Sequence, residues 1–192
     1  MSENVRLAPK GVDARTLRTR HLLAEALISL GAARGVDELD VGEIAEEAGV
    51  ARSTFYAHYA GKDDFLVRSF VNMIAATEAV VRERFPERED LLPSRALFRH
   101  VHEAQDFARR IATSEAFPAQ MAAGEAKLRE IAETNLTRLK LNWTRERRRE
   151  TAVYVAGGFI GLLRWWIESG FKKTPEDMQA AFERLTKATM EG

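Results

Sequence analysis

The stretch GVARSTFYAHYAGKDDF, residues 49–65, decides the fold. Three aromatics, Phe55, Tyr56 and Tyr59, fall within five positions among Arg52, Ser53, Thr54 and His58. Helical spacing sorts them. Phe55 and Tyr59 are i and i+4 and share an inner face, while Arg52, Ser53, Tyr56 and Ala57 fall on the opposite side. Thr54, His58 and Lys62 run along a flank. A helix of about two turns cannot bury three rings on one side, so Tyr56 points outward. An outer face of small residues lets a helix enter the major groove, where an arginine can donate two hydrogen bonds to guanine. Thr54, Tyr56, His58 and Lys62 carry donors suited to phosphates, and the free N–H groups of a helix start favour an anion.

Working outward, Asp40 stands three residues before Glu43, which is capping-box spacing for a helix over 41–48. Ile44, Ala45 and Ala48 share its inner face. Gly49 follows, free to take the positive φ that a tight turn between two short helices needs. Upstream, Leu23, Leu27 and Leu30 form an apolar stripe, and Gly31 and Gly35 mark the end of that helix. Two short helices joined by one turn, the second with a polar outer face, have the form of a DNA reader.

The span 15–66, RTLRTRHLLAEALISLGAARGVDELDVGEIAEEAGVARSTFYAHYAGKDDFL, resembles the DNA-binding domain of the TetR family of transcriptional regulators. The apolar first helix, the IAEEAGV turn, the ThrPheTyrAlaHisTyr segment, and a lysine followed by acids carry the resemblance, over about a quarter of the chain. It implies a helix-turn-helix of 41–48 and 52–58. Arg52, Ser53, Thr54, Tyr56, Ala57, His58 and Lys62 then occupy positions that commonly meet DNA. It also implies a homodimer on a palindromic operator, a small-molecule effector and, in most families of this look, repression. Three positions depart from the family pattern. Ala51 replaces a capping Ser or Thr, Gly42 a basic or polar side chain that often reaches a base, and Asp40 a Thr that can touch phosphate, so Arg52 is expected to carry much of the readout.

The rest of the chain reads as helix. Prolines are few, and the segments between them show 3.6-residue periodicity, which predicts an all-α fold of about nine helices: 13–33, 41–48, 52–59, 62–84, 94–111, 114–121, 125–142, 147–169 and 175–189. The expected organisation is a basic, flexible arm over 1–12, a helix-turn-helix domain over 13–61, and a helical ligand-binding and dimerisation domain over 62–192. Formal net charge is zero, with 29 basic and 29 acidic residues among 192, so bulk charge gives no argument for nucleic acid. The first 24 residues nevertheless carry an excess of three positive charges, from Arg6, Lys10, Arg15, Arg18 and Arg20 against Glu3 and Asp13.

In the C-terminal two thirds, Phe98, Phe107, Phe117, Met121, Leu139 and Trp143 are the apolar side chains suited to line an effector pocket, with His100 or Gln105 as polar contacts, although the same set describes an ordinary core. The helix over 147–169 is apolar on nearly all sides and needs cover all round. Gly157 and Gly161 form a small-xxx-small pair beside Gly158 and Trp165, which the resemblance places at a dimer interface. The run RERRRE at 145–150 reads as a solvated surface. His100 and His102 point about 200° apart on a helix and cannot share a metal.

No cofactor, metal or catalytic grouping is expected. Cysteine is absent, as are HExxH and a Gly-rich phosphate loop. The longest apolar run, Val153 to Leu163, is 11 residues, well short of a membrane span, and the cytoplasm is the default compartment. Two other readings stay open: a constitutive DNA-binding and dimerisation protein with no effector, and an enzyme seated in the helical domain.

Overall fold

The computed structural model describes residues 14–191, and the arm expected over 1–12 lies outside them. Among the described residues the chain is entirely helical: α1 (Ala14–Arg34), α2 (Val41–Glu47), α3 (Arg52–His58), α4 (Lys62–Arg84), α5 (Ser94–Glu103), α6 (Gln105–Ile111), α7 (Phe117–Arg138), α8 (Arg145–Glu168) and α9 (Pro175–Glu191).

The capping box at the start of α2 is present. The Asp40 side chain accepts from the Glu43 backbone at 3.1 Å, and the Asp40 backbone N–H donates to Glu43 Oε2 at 3.0 Å. The helix ends in a Schellman motif. Val50 N–H donates to Ala45 O and Gly49 N–H to Glu46 O, both at 2.9 Å, with Gly49 at φ +63°. Leu23, Leu27, Ile44, Ala45, Ala48, Phe55 and Tyr59 are buried together. The ring of Phe65, on α4, lies 5.3 Å from Phe55 and 4.7 Å from Tyr59 between centroids, so the start of α4 belongs to this first core.

Two helix assignments are corrected. The helix expected over 94–111 is broken at Ala104, where φ −104° and ψ 31° leave the helical region between α5 and α6, although no glycine or proline marks the place. The helices expected over 114–121 and 125–142 are one helix, α7, which runs through Gly124. A Cβ at Gly124 would overlap the Phe70 ring, so the glycine is where the ring of α4 seats against α7. Gln120, also buried, donates from Nε2 to Leu66 O at 3.0 Å across the same contact.

Around this, α7 packs on α4 and α8, α9 on α5 and α8, and α6 on α1 and α8. Phe98, Phe159 and Trp166 form an aromatic centre, with Phe98 4.8 Å from Phe159 and 5.6 Å from Trp166. At the α1–α6 contact, the Phe107 ring would lie 2.8 Å from a Cβ at Gly31, so the two helices approach over a glycine here too.

Candidate nucleic-acid interface

On α3, the period of the helix divides the side chains into two faces. Phe55 and Tyr59 are 0% and 2% exposed, whereas Tyr56 is 54% exposed. Arg52, Ser53 and Ala57 are exposed beside it, with Thr54 and His58 half-buried on the flank. The outer face is therefore two small residues, Ser53 and Ala57, beside one arginine and one tyrosine. Ala51 offers no side-chain cap, and the first turn is closed by Thr54 N–H donating to Ala51 O at 2.9 Å.

Arg52 is not alone on this face. Its Nη2 lies 3.9 Å from Asp40 Oδ1, an ion-pair separation. Backbone N–H groups of Glu43 and Gly42, with Arg52 beside them, hold the Asp40 carboxyl below its ordinary value. Glu43 in turn accepts from Arg34 Nη2 at 2.8 Å, so a chain of charges runs from the end of α1 to the start of α3.

Lys62 has a different place from the one expected. Its Nζ donates to Leu39 O at 2.9 Å, Asp37 O at 3.0 Å and Val36 O at 3.1 Å. An ammonium has three N–H donors, and all three are engaged by the α1–α2 connection. The ammonium closes a loop, and no donor is left over for a phosphate. The sequence contained no sign of this, because the acceptors are backbone atoms 23 to 26 residues away. Arg68 was likewise missed. It donates from Nη1 to His58 O at 2.9 Å and lies 5.3 Å over the Tyr59 ring, so α4 holds the loop before α2 with one cation and the end of α3 with another.

The seven side chains expected around an effector do not meet in one cavity. Phe98 belongs to the buried aromatic centre, while His100 is exposed. Phe107 packs against Gly31 of α1. Phe117 and Met121 are buried near the start of α7, and Leu139 follows its end, more than about 30 Å away at 1.5 Å of rise per residue. Trp143 lies beyond Leu139 with Arg147 4.0 Å over its ring, so part of RERRRE is packed locally and not merely solvated.

Of the residues expected at a dimer interface, Trp165 is 49% exposed, Gly158 and Gly161 are exposed with nothing within 4 Å of a Cβ built on them, and Gly157 is half-buried. Val153 and Tyr154 extend the same face. The neighbouring Trp166 is buried and donates from Nε1 to Lys173 O at 2.9 Å. The described residues therefore cover this helix on one side only: its inner face is core and its outer face is open. No group of three or more metal-ligating side chains occurs among the described residues, and none of their helices is long and apolar enough to cross a membrane.

A family model described as bacterial regulatory proteins, tetR family, matches residues 23–68, which hold α2, α3 and their supports. A second, described as a transcriptional regulator C-terminal region, matches residues 94–188. The chain belongs to the TetR family. It is a transcriptional regulator with a DNA-binding domain. Solved TetR-like structures superpose over nearly the whole chain. The dihydroxyacetone kinase operon activator DhaS has a TM-score of 0.66 at 18% identity, covering 90% of this chain and 96% of its own. The alkane-biodegradation repressor AlkX from Dietzia sp. has 0.62 at 14%, covering 88% and 97%. FadR from Bacillus subtilis, solved in complex with stearoyl-CoA, has 0.59 at 15%, covering 86% and 96%. At these identities the likeness shows the fold alone. No curated protein matches in sequence. The family and these neighbours are regulators, not enzymes.

Proposed function

We propose that this TetR-family regulator binds a palindromic operator as a homodimer, in the cytoplasm, and represses until a small apolar or amphipathic effector releases it. Residues 13–61 are the DNA-reading domain and 62–192 the dimerisation and effector domain. The observation that carries the reading is the outer face of α3, where Arg52, Ser53, Tyr56 and Ala57 are exposed around a buried Phe55. Such a face fits the major groove, and Thr54 and His58 on its flank suit the phosphates at the groove edge.

The other open face supports dimerisation. Val153, Tyr154, Gly158, Gly161 and Trp165 expose an apolar strip on α8, with Leu185 of α9 also exposed. Glycines there let a second helix approach closely, and a twofold axis gives two recognition helices for two half-sites about 34–36 Å apart. Release by an effector requires that movement in the helical domain reach α3. Lys62 and Arg68 tie α4 to both ends of the helix-turn-helix and give that movement a route. The effector supplies only its differential affinity for the two states, typically about 1–3 kcal/mol.

A second reading, constitutive binding without an effector, is favoured by the tightly packed aromatic centre of Phe98, Phe159 and Trp166. Selection of bound sequences from a random duplex pool at about 0.15 M salt tests the first claim. An enriched palindrome supports the dimeric operator reader, and folded dimer that enriches nothing refutes it. Titrating stearoyl-CoA and other amphipaths against the selected duplex then separates release from constitutive binding.

A further inference from the structure

In the family pattern Gly42 looks like a lost contact and Asp40 like a hindrance, since a carboxylate facing phosphates repels them. Together they make a seat. A Cβ built on Gly42 would lie 2.8 Å from Asp40 Oδ1, 3.3 Å from Arg52 Cζ and 3.4 Å from Arg52 Nε. The guanidinium itself therefore passes over Gly42 through space that any side chain would enter. Its Nη2 comes to 3.9 Å from Asp40 Oδ1, while the arginine side chain stays 64% exposed. Asp40 cannot swing away, because the same oxygen caps α2 by accepting from the Gly42 and Glu43 backbones. Its partner in the capping box, Glu43, is held by Arg34.

We propose that Asp40 and Gly42 are positioning residues for Arg52, presenting its guanidinium for direct base readout, so that specificity at one operator position is set jointly by residues 40, 42 and 52. This rests on the operator-reading proposal above. A guanidinium is a planar fork, and a fixed carboxylate 3.9 Å from one of its nitrogens draws that edge inward and turns the other toward the two acceptors of guanine, with less rotamer freedom to lose on binding. The cation also masks the carboxylate from the neighbouring phosphates. A missing basic side chain at 42 is thereby replaced by the arginine from the next helix.

The test begins from the operator selected by the wild type. Arg52→Ala relaxes one base position by roughly tenfold, the order a bidentate guanine contact discriminates. Asp40→Asn keeps a capping oxygen but removes the charge. It is expected to relax that same position several-fold, leave the other positions unchanged and slightly raise affinity for random duplex. Arg52→Ala combined with Asp40→Asn should be no worse at that position than Arg52→Ala. Gly42→Ala, whose methyl enters the seat, should relax the same position and serves if Asp40→Asn fails to fold. Unchanged selectivity in Asp40→Asn, or equal loss at every position, overturns the inference. NMR titration of Asp40 in the free protein separates the two layers of argument. Its carboxyl should titrate higher in Arg52→Ala than in wild type whether or not DNA is read, and an unmoved titration removes the seat itself. A wild type that titrates as expected yet enriches no sequence overturns the operator reading and, with it, this role for the seat.

Discussion

The outward faces of α3 and α8 are both left uncovered by the described residues, and they are opposite in chemistry. α3 exposes Arg52, Ser53, Tyr56 and Ala57, and α8 exposes Val153, Tyr154, Gly158, Gly161 and Trp165. Each carries small residues, which would let a partner come close to the backbone. In α3 they are set among donors, which suits a polyanion whose base edges must be reached. In α8 they are set among rings and a branched aliphatic, which suits a helix like itself. The same device, a helix stripped of bulk on one side, serves two kinds of surface, and the flanking side chains select the partner.

The largest effect expected is from placing a charge on the apolar face. Trp165→Glu should convert the proposed dimer to a folded monomer in sedimentation, because a half-exposed side chain adds little to the fold of one chain. Operator affinity should then drop by roughly 100-fold, since two linked half-site contacts become one, while affinity for random duplex falls less. A dimer that survives the substitution would break the comparison, and the outer face of α8 would need another occupant.

A middle-sized effect separates the interior of the DNA-reading end from its surface. Lys62→Met should reduce folding stability by about 2 kcal/mol, because three loop carbonyls lose a charged donor. The salt dependence of DNA binding should be unchanged. Denaturant melts with affinity measured at several salt concentrations check both, and a slope lowered by about one unit with stability intact would return the lysine to the phosphates.

Apart from the break at Ala104 and the Arg147–Trp143 contact, residues whose partners are near in sequence were legible, and residues with distant partners were not. Phe55, Tyr59 and outward Tyr56 follow from helical period over five positions, and the Asp40–Glu43 box and Gly49 turn follow from spacings of three and one. Lys62 was misplaced, and the seating of Arg52 over Gly42 and of Phe70 against Gly124 went unseen, because each is defined by an atom from another element: a loop carbonyl, the Gly42 backbone, the Phe70 ring. The scattered effector residues share that origin. Two helices over 114–121 and 125–142 lack the rigid rod that, as the single helix α7, sets Phe117 and Leu139 far apart. Glycine inside a helix carries two meanings, a break or a close approach, and only the neighbour decides between them.

The smallest effect bears on the residue whose orientation prompted the reading of the fold. Tyr56→Phe removes one hydroxyl and keeps the ring, which touches Phe55 edge-on at 5.5 Å between centroids. Since the ring is 54% exposed and its packing is retained, the melting temperature should stay within the error of measurement. Operator affinity should fall by about 1 kcal/mol, near fivefold, the worth of one hydrogen bond. The comparison gains a control in Tyr154, the other exposed tyrosine, on the apolar face of α8. If α8 meets a helix and α3 meets DNA, Tyr154→Phe should leave operator affinity unchanged while Tyr56→Phe lowers it. Equal losses from both would mean that the two faces do not divide their partners as their chemistry implies.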